Sequence, residues 1–266
     1  MKRVSLKGLL SWILVGSLVG LGVAGLRLLF NWDRAFTNLV LFSLVGVVVG
    51  LFAAKFIWDY AVMRSQVKSY QRYLANYDMP AYLEYAQKAV ERTKTKAYQN
   101  IHRMNLSLGY AYTGAYREAI DTLSKVNIGD KLNSSTNLVN ILNLINYTIQ
   151  DGDLPQARKL IQKTAALLEP VEDHPKYGFL IHLNRLHMAL KEKKAQVAEA
   201  ELEKAELFQN LIHVDSVELT LAKAATLVLN GNLEAARSIL EPLRSQRLAP
   251  VFERQREALW MQLKTV

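Results

Sequence analysis

The sequence predicts an all-α protein in which a membrane hairpin precedes a domain of repeated helix pairs. Three observations lead there: two uncharged runs of membrane length near the N-terminus, helix-forming composition after Arg64 without strand-like alternation, and turn signals that return at a fixed interval. Half of the 266 residues are hydrophobic and 21% are charged, which excludes disorder and low-complexity fibre. There is no cysteine, so disulfide frameworks, thiolate metal clusters and cysteine nucleophiles are excluded as well.

Residues 8–26 are uncharged and lie between Lys7 and Arg27; residues 35–54 are uncharged and lie between Arg34 and Lys55. Roughly 20 residues rising 1.5 Å each cover the ~30 Å hydrocarbon layer with every backbone group bonded internally. Two spanning helices are therefore expected over about 8–30 and 35–58, forming an anchor over residues 1–63. Trp12, Trp32 and Trp58 fall near the run ends, where indole rings favour the headgroup layer. Lys2, Arg3 and Lys7 precede the first run and Lys55, Arg64, Lys68 and Arg72 follow the second, which places both termini in the cytoplasm of a cell-membrane protein. The same juxtamembrane Arg64, Lys68 and Arg72 suit anionic lipid.

Gly16 and Gly20 in the first run, and Gly46 and Gly50 in the second, are spaced for close helix approach. They either pack the hairpin on itself or face a second membrane protein or a second copy of the chain. Residues 20–25 also spell G-x-G-x-x-G, but the stretch that follows is another apolar run with no acidic residue, so the dinucleotide fingerprint lacks its context.

The formal charge of +9 is not spread over a folded face. Residues 1–100 hold 13 basic against 5 acidic residues, whereas residues 101–266 hold 20 against 19. Nucleic acid is not an expected partner, because phosphate neutralisation needs a basic surface.

From residue 64 to 266 the chain reads as helix upon helix, broken at Tyr77-Asp78-Met79-Pro80, Gly114-Ala115-Tyr116, Gly152-Asp153-Leu154-Pro155 and Gly231-Asn232-Leu233-Glu234. The steps between these breaks are 37, 38 and 79 residues, and the last is two periods, with a missing turn expected near Lys191 to Lys194. A final helix is expected from Ala249 to Leu263, with Pro250 in its first turn and Leu259 and Leu263 forming a buried stripe, as a terminal cap.

The unit Leu106, Tyr110, Gly114, Tyr116, Glu118-Ala119-Ile120, Leu123 and Val126 resembles the tetratricopeptide repeat, with Ser107 and Ala119 at the places where small residues let two helices cross closely. A unit from Ile141 through Gly152-Asp153-Leu154, Ala157 and Ile161 fits as well, as does one from Ala224 through Gly231-Asn232-Leu233, Ala236 and Leu240. The units at about 64–93 and 177–209 are degenerate, and the period of about 38 exceeds the family's 34. The resemblance implies a right-handed, TPR-like α-solenoid of about five helix pairs whose concave groove binds protein or peptide.

On that groove Asn140, Asn143 and Asn146, with Asn137, recur at steps of three along one helix. Asparagine offers a donor and an acceptor and can clamp an extended peptide backbone; the alternative is that these amides are solvated or cap turns. Tyr110 and Tyr112 belong to the ten of 12 tyrosines that fall between Tyr60 and Tyr116. Such a cluster either presents an interface or fills the first repeats.

No zinc-protease histidine pair, nucleophile elbow, phosphate loop or kinase set occurs, and His182 and His187, five residues apart, lie about 140° apart round a helix. No catalytic residue, metal or cofactor is expected. The whole resembles bacterial envelope-associated tetratricopeptide proteins with a short membrane segment, and implies an adaptor or scaffold that recruits protein partners at the cytoplasmic face. The alternative is a sensory regulator that binds a peptide in the groove.

Overall fold

A computed structural model of the chain describes residues 22–25, 27–30, 33–93, 96–126, 135–209 and 211–264. The chain divides into two units between Ser69 and Tyr70. Every element among the described residues is helical, and no strand occurs among them.

In the first unit, residues 22–25 and 27–30 are helical; the rest of the span expected over 8–30 falls on residues 8–21 and 26, outside the described residues. Helix α1, Arg34–Ala75, is capped by Asp33, whose carboxylate accepts the Phe36 N–H at 2.6 Å. Its stretch Ala35–Lys55 is 21 residues long and is the one helix among the described residues that is long and apolar enough to cross a membrane. Leu39, Phe42, Val49 and Leu51 along it are exposed, and nothing lies within 4 Å of where a Cβ on Gly46 or Gly50 would stand. The helix does not break at the expected anchor boundary of residue 63, because residues 56–75 contain neither proline nor glycine to stop it.

The second unit continues with α2 (Met79–Arg92), α3 (Lys96–Thr113), α4 (Tyr116–Ser124), α5 (Ser135–Asp151), α6 (Leu154–Leu168), α7 (Gly178–Lys191), α8 (Ala195–Glu206), α9 (His213–Leu229), α10 (Leu233–Leu240) and α11 (Pro250–Lys264). Each helix packs on the next from α2 through α6, and again from α7 through α11. In addition α5 packs on α7, α7 on α9 and α9 on α11, so the longer helices form an inner row and the even-numbered ones an outer row.

One turn design joins the rows five times. Tyr77, Gly114, Gly152, Lys193 and Gly231 all have positive φ, at intervals of 37, 38, 41 and 38 residues. At Gly114 the N–H returns to the Ala111 carbonyl and the next N–H, of Ala115, to the Tyr110 carbonyl. The same two bonds recur at Tyr77, Lys193 and Gly231, and this pair satisfies the last carbonyls of each inner helix. The residue after each turn then starts the outer helix: Asp78, Asp153 and Asn232 accept the N–H of Ala81, Gln156 and Ala235. The turn expected near Lys191 to Lys194 is thus centred on Lys193, where a lysine stands at φ +56° in a place that glycine fills at Gly114, Gly152 and Gly231 and tyrosine at Tyr77.

Close crossings depend on missing side chains. A Cβ on Gly109 would stand 2.7 Å from the Tyr82 ring, so α2 can lie on α3 only because that position is glycine. Tyr82 is fully buried there and donates to the Asn105 carbonyl at 3.0 Å; Tyr70 meets the rings of Tyr82 and Tyr85 at 5.2 and 5.1 Å. The tyrosine cluster therefore fills the first helix pair.

The last helix returns to the first pair. Helix α11 packs on α3 as well as on α9 and α10, and one core joins Met79, Tyr82 and Tyr112 to Leu221, Phe252 and Leu259. Arg254 donates to the Thr113 carbonyl at 2.5 Å across 141 residues of sequence. The cap expected over 249–263 thus also closes the inner row on itself.

Two substitutions test the turn design. Lys193→Gly removes the left-handed strain of an exposed lysine and is expected to stabilise the chain by about 1 kcal/mol, a rise of roughly 2–4 °C in melting temperature. Gly152→Ala, at φ +94° with open space around its Cβ, is expected to destabilise by about the same amount. Thermal unfolding followed by circular dichroism checks both; a Lys193→Gly variant that melts lower would contradict the assignment.

Candidate functional site

The inner row converges on a polar hub built by α3, α5, α7 and α9. On α5, the Asn146 amide donates to Asn184 Oδ1 of α7 at 3.0 Å and lies 3.4 Å from His187 Nδ1. Asn184, 4% exposed, donates in turn to the Leu142 carbonyl at 2.9 Å. His187 Nε2 lies 3.8 Å from Glu218 Oε1 of α9. Tyr112 of α3, Tyr116 at the start of α4 and Tyr147 of α5 complete the surroundings, and the charge of Glu218 acts on all three phenols.

Helical period explains why these residues meet. Asp215, Glu218, Leu221 and Ala222 stand on one face of α9; Asn146 and Gln150 share a face of α5, and Asn184 and His187 a face of α7. One turn beyond the hub along these faces lies a cavity of about 340 Å³, lined by His187, Leu190, Leu221, Ala225, Leu259 and the amides of Gln150, Gln255 and Gln262, among others. Its size is that of a small-ligand pocket.

The hub is electrostatically unbalanced. Burial, and after it the charge of Asp215, pushes the Glu218 carboxyl up to about 7, against a hydrogen bond from Asn146 that holds it down. Burial pushes Asp215 up to about 6. Burial, with Lys191 nearby, takes His187 down to about 4. At neutral pH His187 is therefore an uncharged neighbour of Glu218, and their 3.8 Å separation is not an ion pair. Burial raises the Tyr112, Tyr116 and Tyr147 phenols well above their usual range, so they act as neutral groups.

The sequence-selected residues divide. Asn146 and Tyr112 reach the hub, where Tyr112 stands 9% exposed with its ring 5.7 Å from that of Phe252. Asn140 is 2% exposed beneath the surface with its Oδ1 unpartnered among the described residues, and Asn143 is half-buried. Tyr110 is half-buried between two core clusters and lines a separate cleft with Arg103 and Glu118. The asparagine row is thus spent on helix packing except at Asn146. Arg64, Lys68 and Arg72 are exposed on α1.

Glu218, Asp215, His187, Asn184 and Gln255 were not singled out as site residues by sequence. A signal for the first two existed: the acidic residues of α9 are two carboxylates three residues apart, Asp215 and Glu218, set among Val214, Val217, Leu221 and Ala222. Elsewhere, buried His182 has Nδ1 2.7 Å from Glu201 Oε2 and Nε2 3.7 Å from Glu172 Oε1. Arg185 and Lys204 pair with those carboxylates in turn. Among the described residues no group of three or more histidine, cysteine or carboxylate side chains is arranged to hold a metal ion. No family model, no curated protein and no solved structure matches the chain.

The raised Glu218 carboxyl has a signed consequence. The folded state holds the proton to higher pH than the unfolded chain, so the group lowers stability as pH rises from 4.5 to about 7 and has no further effect above. His187 acts oppositely, losing stability as pH falls from 6.5 toward 4, in wild type and variant alike. Relative to Glu218→Gln, the wild type is expected to lose stability on the order of 3 kcal/mol between pH 4.5 and 7. Denaturant titrations of both chains across that range check it, and a constant difference would contradict it.

Proposed function

We propose that the chain is a membrane-anchored, tetratricopeptide-like helical-repeat adaptor that recruits protein partners through the inner face of its second unit, at the cytoplasmic side of the membrane. What carries the proposal is the combination of an exposed apolar stretch of membrane length, Ala35–Lys55, with a helical unit whose inner row leaves an open polar cavity. The five positive-φ turns at near-constant spacing support the repeat reading, and a right-handed solenoid of helix pairs is its natural form. Exposed Arg64, Lys68 and Arg72 beyond the apolar stretch support a cytoplasmic placement beside anionic lipid. A second span over residues 8–30 belongs to the same proposal. Anchoring confines the inner face to the membrane surface and raises its effective concentration toward partners already there, so modest affinity suffices.

A second reading, a sensory regulator, is favoured by one observation. The return of α11 to α3 leaves a cavity of about 340 Å³, which suits a single side chain or small molecule better than several residues of extended peptide.

Two measurements test the adaptor. Full-length chain is expected to resist alkaline carbonate extraction from membranes, and removal of residues 1–63 to release it. A photo-crosslinking side chain placed at Gln255, on the cavity, is expected to capture a defined membrane protein that the same group at Val197, exposed on α8, does not. Equal capture from both positions, or capture from Val197 alone, would remove the inner face from the account.

A further inference from the structure

We propose that the inner-face cavity binds a primary alkylammonium group, with the ammonium seated on Glu218 and the alkyl chain lying among Leu190, Leu221, Ala225 and Leu259. The proposal deepens the reading of the inner face by naming the chemistry of its ligand.

Three independent observations meet at this point. Glu218 and Asp215 are two acids on one face of α9, and among the described residues neither forms an ion pair with a lysine or arginine. The base beside Glu218 is His187, which burial keeps neutral. Half-buried carboxylates without a paired base are costly to ionise, and a bound cation would offset that cost. Second, Tyr147 is 4% exposed and its hydroxyl oxygen receives no hydrogen bond among the described residues, because the neighbouring Ser107 donates its own hydroxyl to the Met104 carbonyl at 2.7 Å. This orphaned oxygen lies where the Glu218 charge is felt, and it can accept an N–H from an ammonium. Third, the cavity opens one helical turn away, with His187 shared between it and the hub. Its walls are apolar and its polar groups are largely amides, which suits a flexible hydrocarbon arm ending in one charge.

The charged and titratable groups that face Glu218 agree with a cation as the missing component. Tyr112 from α3, Tyr116 from α4 and Tyr147 from α5 are neutral phenols on which the Glu218 charge acts. His187 from α7 is neutral, and Asp215 from α9 adds negative charge. Arg254 of α11 is committed to the Thr113 carbonyl, and Lys191, exposed at the cavity's rim, is not paired with Glu218 among the described residues. Helix α8 meets α9 through the exposed Glu206–Lys223 pair, at 2.6 Å, and α10 carries its own Glu234–Arg237 pair.

The same ammonium arm occurs in a free amine and in a lysine side chain of a partner, and the test separates them. Purified full-length chain in detergent micelles is titrated calorimetrically with n-butylammonium, with Nα-acetyl-lysine methylamide, and with neutral butanamide. Binding of either ammonium at least tenfold tighter than butanamide is expected, with affinity rising as pH goes from 6 to 8 and the carboxylate forms. Tighter binding of the lysine derivative assigns the site to a protein partner, and tighter binding of butylammonium assigns it to a free amine. Glu218→Gln is expected to abolish the preference for charge, and Ala225→Leu, which narrows the cavity and leaves Glu218 in place, to weaken both ammonium ligands at least tenfold. Equal affinity for butanamide, a preference that survives Glu218→Gln, or no ammonium binding at millimolar concentration would overturn the proposal. Because binding is read on the isolated chain, its failure is distinct from a failure to capture a membrane partner.

Discussion

Helix α11 lies against α3 and α9, and the character of the inner face depends on that contact. The core it completes brings Phe252 to Tyr112 at 5.7 Å between rings and places Leu259 with Leu221. Ring contacts of this kind contribute ~0.5–1.5 kcal/mol beyond their area. Arg254 adds a charge-assisted bond to the Thr113 carbonyl, directly beside Gly114, where a Cβ would stand 2.0 Å from its guanidinium. Gly114 thus serves twice: it supplies the positive φ of the turn and the space through which the last helix reaches the first pair. Without this return, Tyr112 and Leu221 would lose the cover that Phe252 and Leu259 give them.

Function follows from that enclosure. A repeat of paired helices ordinarily offers its inner row as an open surface; here the row is drawn together until its polar side chains meet. Of the asparagines that could have clamped a peptide, Asn137 and Asn140 are buried, and Asn146 is bonded to Asn184. What remains accessible is a cavity one helical turn from the Asp215 and Glu218 carboxyls, with His187 between them. Under the proposed function, recognition at this site is of one charged group rather than of a length of chain, and the membrane-length helix supplies the locality that such limited contact needs.

Much of the fold was legible because its signals are local. Gly114, Gly152 and Gly231 mark positive φ, and Asp78, Asp153 and Asn232 mark helix starts, each through chemistry confined to a few residues. The turn at Lys193 carries no such residue, and its left-handed backbone is held by the packing of α7 on α8, which sequence does not display. The site was less legible still. Asn146 and Tyr112 were selected by position and lie at the hub, but Glu218 and His187 each read as an ordinary polar residue of its own helix until α5, α7 and α9 pack together, as in the Asn146–His187 approach across 41 residues. Helical periodicity gives the face of a side chain. It does not give the element that will cover that face.

The closure itself is the claim on which the rest stands, and the chain's lack of cysteine makes it directly measurable. Cysteines placed at Thr113 and Arg254 in the full-length protein should be joined efficiently by a short bismaleimide under native conditions and not in denaturant. If both thiols react freely with a monofunctional maleimide yet fail to crosslink in the native protein, α11 does not return to α3, and the enclosed hub does not exist.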